Sequence, residues 1–469
     1  MTLRLKLLFA SGEFGLSVVT IVQGFFLNTF LLEVAAVPPY AAAAILLAAQ
    51  IFDAVADPVL GRMSDRTQSA LGRRRPWIVY GAVPGGVCYA ALWQVPGEPG
   101  DFWLSYYYGV LAILVTFTHT MVAVPYAAIT TELSDDYDER TSLTMWRVGA
   151  GVVGGVVAIG VHSALIESFL SAKTGAVDYV AGYAVSGAVL GVVVALAPLV
   201  TGATVREKYA STESAVTTKS YWQALKATAS RAFLVAALLY TLSWISIATV
   251  QSQLFLWCKY VLVREEHFMY IIIVIQVVAA LSLWLWSSLS ARLGKRGAFA
   301  ISCVMLTAIL TGAFFVDATT GLAWIYVTSA LAGVGLGGAM LLPWSMLPDI
   351  VDADELKTGS RREGDFYGLF VMLQKIGLGV SLAAGSMALG SAGYVSPETG
   401  GGDHQHVEQP DDVRLVLRVL IGPLPAVLMA IALLFTACYP LSRARHREIR
   451  RQLFVRHVGE AVDREELLG

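Results

Sequence analysis

About twelve apolar runs follow one another along the chain, most of them about 20 residues long or more. A run of that length crosses the hydrocarbon core of a membrane when it is helical. The runs lie near residues 7–32, 40–61, 76–96, 102–130, 142–168, 180–204, 231–258, 266–290, 298–316, 321–347, 365–389 and 413–439. The sequence therefore predicts an all-α integral membrane protein with about twelve transmembrane helices.

The amino-acid composition is also typical of a membrane protein. Charged residues make up 14% and hydrophobic residues 56%, whereas a soluble domain carries roughly 25% charged residues. The net charge of -2 indicates no nucleic-acid partner. The cysteines lack metal-like spacing and are expected to be core thiols. We expect no metal and no cofactor apart from a coupling ion. The first apolar run contains Glu13 and is longer than the hydrophobic core of a signal peptide, so we expect it to be a membrane span that is not cleaved off.

Positive charge is unevenly distributed between alternate loops. Alternate segments and the tail collect about two dozen Lys and Arg, whereas the opposite loops hold about four. This bias predicts a multi-pass protein of an inner or plasma membrane with both termini cytoplasmic. The basic tail, 441–469, is expected to lie along anionic headgroups. The loop from 390 to 412 is expected to be a flexible connector rather than a metal site.

Matched landmarks divide the chain into halves. The basic loop after residue 61 corresponds to the one after residue 289, and Pro125-Tyr126 corresponds to Pro343-Trp344. Arg147 corresponds to Lys375. Such repeats predict the major-facilitator fold, with two pseudo-symmetric six-helix bundles and the substrate between them. The predicted bundles are 1–204 and 231–440, joined by a polar cytoplasmic linker, 205–230.

Two carboxylates, Asp53 and Asp57, lie within the second run. A spacing of four residues places them on one helix face, about one turn apart. An ionisable group at this depth costs about 2.5–3.5 kcal/mol and usually marks an ion or proton path. The sequence therefore indicates a cation or proton site facing a water-filled cavity. In the alternative interpretation, Asp57 caps a helix break beside Pro58 and Asp53 pairs with an arginine.

A longer motif resembles that of the melibiose-carrier family, the glycoside–pentoside–hexuronide:cation symporters. It comprises Asp53-x-x-x-Asp57-Pro58-x-x-Gly61-x-x-x-Asp65-Arg66, Gly72-Arg73-Arg74-Arg75-Pro76-Trp77, Val124-Pro125-Tyr126, Glu139-Arg140-Thr141, Arg147, Asp349-x-x-Asp352, Arg361-Arg362-x-Gly364 and Lys375. The resemblance implies alternating-access symport of a sugar or glycoside with Na+, Li+ or H+, and not an enzyme. We expect a monomer whose partners are a small-molecule solute and the lipid bilayer.

The resemblance also implies a set of site residues. Asp53, Asp57 and Thr120 match the cation site, and Arg147 and Lys375 match basic residues that face the central cavity. The predicted substrate cavity comprises Ser17, Thr20, Ala123, Tyr126, Arg147, Trp344 and Lys375. We expect Arg147 or Lys375 to contact the substrate, or to pair with the aspartates when the site is empty.

Several positions depart from that family. Ser17 and Ala123 stand where melibiose carriers have sugar-binding aspartates, Ala127 replaces a tryptophan, and Ala56 replaces an asparagine of the sodium site. Fewer oxygen ligands weaken a sodium site, whereas adjacent carboxylates share a proton, so both ions remain open. His119 is either a proton relay or a structural histidine.

A second resemblance, carried by residues 25–33 and 341–349, is to the sodium-dependent lysophospholipid symporters. It implies an apolar cavity walled by Ala123, Ala127, Met340 and Leu342, with Arg147 or Lys375 meeting a phosphate. That branch generally keeps only the second helix-two carboxylate, whereas both are present here. Sugar and amphiphile therefore both stay open, and a membrane enzyme or receptor is disfavoured because no nucleophile–base pair is evident.

Charged residues of the predicted cytoplasmic surface form a candidate gate. We expect ion pairs among them to hold the halves together in the outward-open state; singly, such solvated pairs contribute only about 0–1 kcal/mol. The gate residues are Asp65, Arg66, Arg73, Glu132, Arg140, Asp349, Asp352 and Arg361.

Overall fold

A computed structural model describes residues 2–133, 137–169, 177–205, 230–359, 362–396, 408–441 and 443–468. The first half comprises α1 (Leu3–Val22, extended by π-helical turns Gln23–Leu27 and Phe30–Val34), α2 (Pro39–Arg66), α3 (Arg75–Leu92), α4 (Phe102–Glu132), α5 (Tyr137–Ser168) and α6 (Tyr179–Thr204). The second half comprises α7 (Arg231–Trp257, extended by the π-helical turn Cys258–Leu262), the short 3-10 helix Glu265–His267, α8 (Phe268–Ala313), α9 (Leu322–Thr358), α10 (Glu363–Ser391), α11 (Asp411–Ile421) and α12 (Pro423–Thr436). A terminal helix, α13 (Arg443–Leu468), follows.

The predicted number of spans is confirmed. Within the described residues, ten helical segments are long and apolar enough to cross a membrane. One of them, α8, has 46 residues and is broken at Gly294, whose φ of 79° lies in the left-handed region. It therefore supplies two spans, and α3, with 18 residues, completes twelve. The break falls in the basic loop that the sequence predicts between the eighth and ninth spans.

Small residues allow the helices of each half to approach closely. A Cβ on Gly191 of α6 would lie 2.7 Å from the carbonyl oxygen of Gly86 on α3. In the second half, a Cβ on Gly337 of α9 would lie 2.7 Å from the carbonyl oxygen of Ala279 on α8. In lipid, helices associate through such packing because burial of apolar surface from water gives no driving force there.

The two halves meet mainly through α2 and α10. Gly379 of α10 packs against Gln50, and Gly390 packs against Pro39 and Tyr40. Nearer the start of α10, a Cβ added to Gly364 or Gly368 would meet no atom within 4 Å. We call the membrane side with loop 67–74, Gly294 and the start of α13 the basic face, and the other side the opposite face. The halves therefore pack closely toward the opposite face, whereas α10 borders open space toward the basic face.

Candidate functional site

The two aspartates of α2 hold a lysine from the other half. Lys375 Nζ lies 2.7 Å from Asp53 Oδ2 and 2.6 Å from Asp57 Oδ2. Thr120 on α4 donates its hydroxyl proton to Asp53 Oδ1 at 2.8 Å. Four residues from three helices thus meet at one point, and the pairing crosses the boundary between the halves.

The helical register explains this arrangement. Asp53 and Asp57 share one face of α2, which turns toward α10 because small residues such as Gly379 let the two helices approach. The side chains are 15%, 25% and 20% exposed for Asp53, Asp57 and Lys375. Two carboxylates face one ammonium, so the cluster retains a formal charge of -1. A monovalent cation that used the same oxygen atoms would have to displace Lys375.

A second charged pair lies in the first half. Arg147 Nε on α5 is 3.3 Å from Glu13 Oε2 on α1, and both side chains are partly exposed. Glu13 fits there because Gly151 leaves room beside α5 for its side chain. The guanidinium carbon of Arg147 also lies 6.0 Å from the centre of the Tyr126 ring. Arg147 thus has a carboxylate partner other than the predicted aspartates, whereas Lys375 makes the pairing that was predicted.

An apolar cavity lies between the halves, with about 930 Å³ of empty space, part of which is open to solvent. Thr20, Ile21 and Phe25 of α1 line one side, and helices of the second half line the rest. On α7, Trp244, Ile247, Gln251 and Leu254 lie on one face and contribute part of the cavity wall. Polar lining side chains are few: Thr20, Trp244, Ser246, Gln251 and Gln276. No lining residue, all of which are described, is charged.

The structure distributes the predicted cavity residues unevenly. Thr20 lines this cavity, and Ser17 lies one turn away with its hydroxyl donating to the Phe14 carbonyl. The placement of Tyr126 in the cavity is wrong. Its side chain is 1% exposed, stacks on Phe9 and donates to the Phe9 carbonyl oxygen. The Pro-aromatic motif does not determine which helix face is buried.

The remaining cavity predictions are partly met. Met340 lines the cavity, but Leu342 is buried in the core of the second half. Trp344 is partly buried and donates its indole N–H to the Tyr240 hydroxyl at 3.0 Å. Neither Ala123 nor Ala127 lines it. His119 lines a separate, small pocket within the first half.

A buried network at the opposite face was missed by the sequence reasoning. Glu33, 5% exposed, is 2.5 Å from Lys259 Nζ of the second half and accepts hydrogen bonds from the hydroxyls of Tyr260, at 2.7 Å, and Tyr394. These bonds join the end of α1 to the ends of α7 and α10. The sequence did contain a signal for this network: Glu33 and Lys259 are opposite charges at the ends of the first span of each half.

Three described carboxylates of the candidate gate, Asp65, Asp349 and Asp352, have partners within their own half. Asp65 accepts a bond from Arg74 at 2.8 Å, and Asp349 lies 2.7 Å from Lys295. Asp352 lies 3.1 Å from His446 of α13. Arg66 is exposed at the end of α2, and Arg73 lies in the loop that follows. The side chains of Glu132 and Arg140, and all of Arg361, lie outside the described residues. The gate therefore stays a prediction for the other conformation.

Fold and site together define a multi-pass membrane transporter with a cleft between two six-helix bundles. A family model described as MFS/sugar transport protein matches residues 8–443. The chain belongs to this family.

Several characterised and uncharacterised transporters are similar to this chain over most of its length. The chain is 28% identical to an uncharacterized symporter of Synechocystis, covering 96% of each protein. It is 30% identical to the sodium-dependent lysophosphatidylcholine symporter 1-A of Danio rerio, covering 97% of this chain and 88% of the relative. It is also 27% identical to a sphingosine-1-phosphate transporter of Xenopus tropicalis, covering 91% and 86%.

Solved structures share the fold. A bacterial homologue of the human lysosomal transporter Spinster matches with a TM-score of 0.66 and 14% identity over 94% of this chain and 97% of that one. The nucleoside transporter NupG matches with a TM-score of 0.64 and 13% identity over 94% and 100%.

Proposed function

We propose that the chain is a cation-coupled symporter that carries an amphiphile with a polar headgroup and a single acyl chain, such as a lysophospholipid. The observation that carries this proposal is the apolar cavity between the halves. Its lining offers an acyl chain apolar contacts and offers a sugar few hydrogen-bond partners.

The order of side chains along α1 supports an amphiphile. Glu13, which pairs with Arg147, and Thr20, at the cavity wall, are seven residues apart. On a helix they are separated by about 10 Å along the axis. The substrate headgroup would therefore lie near Arg147 and its chain would extend past Thr20. An anionic headgroup gains charge-assisted bonds from a guanidinium, for which it would compete with Glu13.

The coupling cation would bind at Asp53 and Asp57 after displacing Lys375, with Thr120 as a further oxygen ligand. Sodium is favoured by the relatives whose names call them sodium-dependent. A proton is favoured by the small number of oxygen ligands, since a hard cation in proteins takes several. We keep both ions in the proposal and separate them by experiment.

The basic face is assigned to the cytoplasm because Lys and Arg concentrate there. With that orientation, the cleft that opens at the basic face makes this the inward-facing state. The Glu33 network then closes the external side. Net transport into the cell follows if the cation enters down its gradient.

A sugar or glycoside is the second candidate. It is favoured by the description of the matching family and by the presence of both helix-two aspartates, Asp53 and Asp57. The residues Ser17 and Ala123 supply no carboxylate for sugar hydroxyls, so a sugar would need other polar partners in the cleft.

Uptake into proteoliposomes tests these functions. We expect lysophosphatidylcholine, and not a panel of glycosides, to accumulate when a sodium or proton gradient is imposed. Asp57→Asn should abolish accumulation. Glycoside accumulation with no lysolipid uptake would overturn the amphiphile proposal, and full accumulation by Asp57→Asn would overturn the coupling site.

A cavity-filling variant links the substrate to the cavity. Val250→Trp places a large ring among the lining residues and should reduce lysolipid uptake at least tenfold. Leu234→Trp is a matched control, because Leu234 is an exposed residue of the same helix. Unchanged lysolipid uptake in folded Val250→Trp would show that the chain does not use this cavity.

A further inference from the structure

A second large pocket lies outside the central cleft, at the basic face. It has a volume of about 890 Å³ and is formed by the break in α8, the end of α12 and the start of α13. Its wall includes three cationic residues, Lys295, Arg296 and Arg443. Leu293, Leu433 and Leu441 supply much of the apolar surface. No carboxylate is among the lining residues, all of which lie in the described part of the chain.

The three cations differ in how far their charge is balanced. Lys295 Nζ is 2.7 Å from Asp349 Oδ1 and donates to the carbonyl oxygen of Ser345, so an acidic partner already offsets its charge. Arg443 donates to the Ala291 carbonyl, which is a neutral acceptor. Arg296 is exposed. Two guanidinium groups of the pocket, those of Arg296 and Arg443, therefore have no carboxylate that offsets their charge among the described contacts, and they can bind an anion.

The pocket lies at the depth of lipid headgroups. The exposed apolar residues Ile301, Val304 and Leu434 continue from it along α8 and α12, and form a surface apolar enough to contact acyl chains. Thr436, which also lines the pocket, is the last residue of α12. The basic residues follow at once on the aqueous side. Phosphate binds well to guanidinium groups, which donate two parallel hydrogen bonds.

We propose that this pocket binds an anionic phospholipid of the basic-face leaflet. Arg296 and Arg443 contact the headgroup phosphate, and Leu433 and Leu441 contact the start of an acyl chain. Basic pockets between membrane helices bind lipid headgroups in this way. The site is separate from the transport cleft, so this inference does not rest on the proposed function.

The bound lipid would also stabilise the position of α13. Arg443 is the first residue of that helix, and His446, one turn later, lies 3.1 Å from Asp352 and 3.4 Å from Asp349. Ile449 and Leu453 pack into the core of the second half. A lipid held by Arg443 therefore adds a contact at the beginning of a helix that is already docked.

Thermal unfolding of the purified full chain in detergent tests the site, with phosphatidylglycerol, phosphatidylcholine or inorganic phosphate added. We expect phosphatidylglycerol to raise the unfolding temperature of the wild-type protein more than phosphatidylcholine does, and inorganic phosphate to have no effect. Each substitution, Arg296→Gln and Arg443→Gln, should weaken the apparent phosphatidylglycerol affinity about fivefold. Arg62→Gln is the matched control, because it removes an exposed arginine of the same face outside the pocket.

The outcomes separate a lipid site from its alternatives. Equal affinities for phosphatidylglycerol in wild type, Arg296→Gln and Arg443→Gln would overturn the proposal. Equal effects of the two lipids, or protection by inorganic phosphate alone, would also overturn it. If Arg443→Gln fails to fold, Arg296→Gln still decides the question, because Arg296 is an exposed side chain.

Discussion

Replacement of Lys375 by methionine gives the sharpest prediction for the central site. The change removes the ammonium and keeps a side chain of similar length. Both Asp53 Oδ2 and Asp57 Oδ2 lie within 2.7 Å of Nζ, so the two oxygens are at most about 5 Å apart. At an effective dielectric constant of about 20, two negative charges at that separation repel by about 3 kcal/mol. Partial exposure and salt reduce this repulsion.

The remaining carboxylates should then bind a cation or a proton more tightly. In the wild-type protein a cation must first break the contacts of Lys375, and a charge-assisted hydrogen bond contributes about 1.5–3 kcal/mol. Removal of that competitor should raise cation affinity by roughly tenfold to a hundredfold. Concentrative uptake should nevertheless fall, because tighter binding slows release of the cation at the basic face.

Isothermal titration calorimetry of the purified protein measures this change. Sodium, or acid in a parallel titration, is added to the wild-type protein and to Lys375→Met under the same conditions. Lys375→Arg is the control because it keeps the positive charge and should keep affinity near the wild-type value. If Lys375→Met binds sodium and protons as weakly as the wild type, the reasoning from competition is refuted.

Three further changes have distinct expected results. Glu33→Gln leaves the partly buried Lys259 without its charge partner and should lower the free energy of unfolding by about 3–5 kcal/mol. The double variant with Lys259→Met should lose less stability, and an equal loss would contradict the pairing. Thr120→Val removes a hydrogen bond to a carboxylate and should weaken cation binding about tenfold in calorimetry, whereas Thr120→Ser should not. Gly337→Ala should reduce the fraction of monodisperse protein in size-exclusion chromatography, because a Cβ there would meet the α8 backbone. Gly312→Ala, with no atom within 4 Å, should leave that fraction unchanged.

The spans and their grouping into halves were predictable because they depend on local properties. Length and apolarity identify a helix in lipid, and repeated landmarks relate the two bundles. The convergence of Asp53 and Asp57 followed from their spacing of four residues. The meeting of Lys375 with them was predicted only as one of several possible pairings for two cationic residues.

Contacts between distant segments were less predictable. Glu33 and Lys259 are 226 residues apart, and their pairing depends on how the halves approach at the opposite face. The burial of Tyr126 depends on the rotation of α4, which a proline-aromatic pair does not specify. The partner of Arg147 was missed because Glu13 was treated only as a charge within the first span.

One helix, α10, takes part in both of these polar connections between the halves. Lys375 lies within α10 and reaches Asp53 and Asp57, and Tyr394, just beyond the end of α10, reaches Glu33. Under the proposed function, cation binding displaces Lys375 and so weakens one of the connections that keep the external side closed. A ligand shifts a conformational equilibrium only by its difference in affinity between the states. Lys375 supplies that difference, because it competes with the cation when the external side is closed and is released from the aspartates when α10 separates from α2. The lysine thereby couples cation occupancy to the opening of the external side.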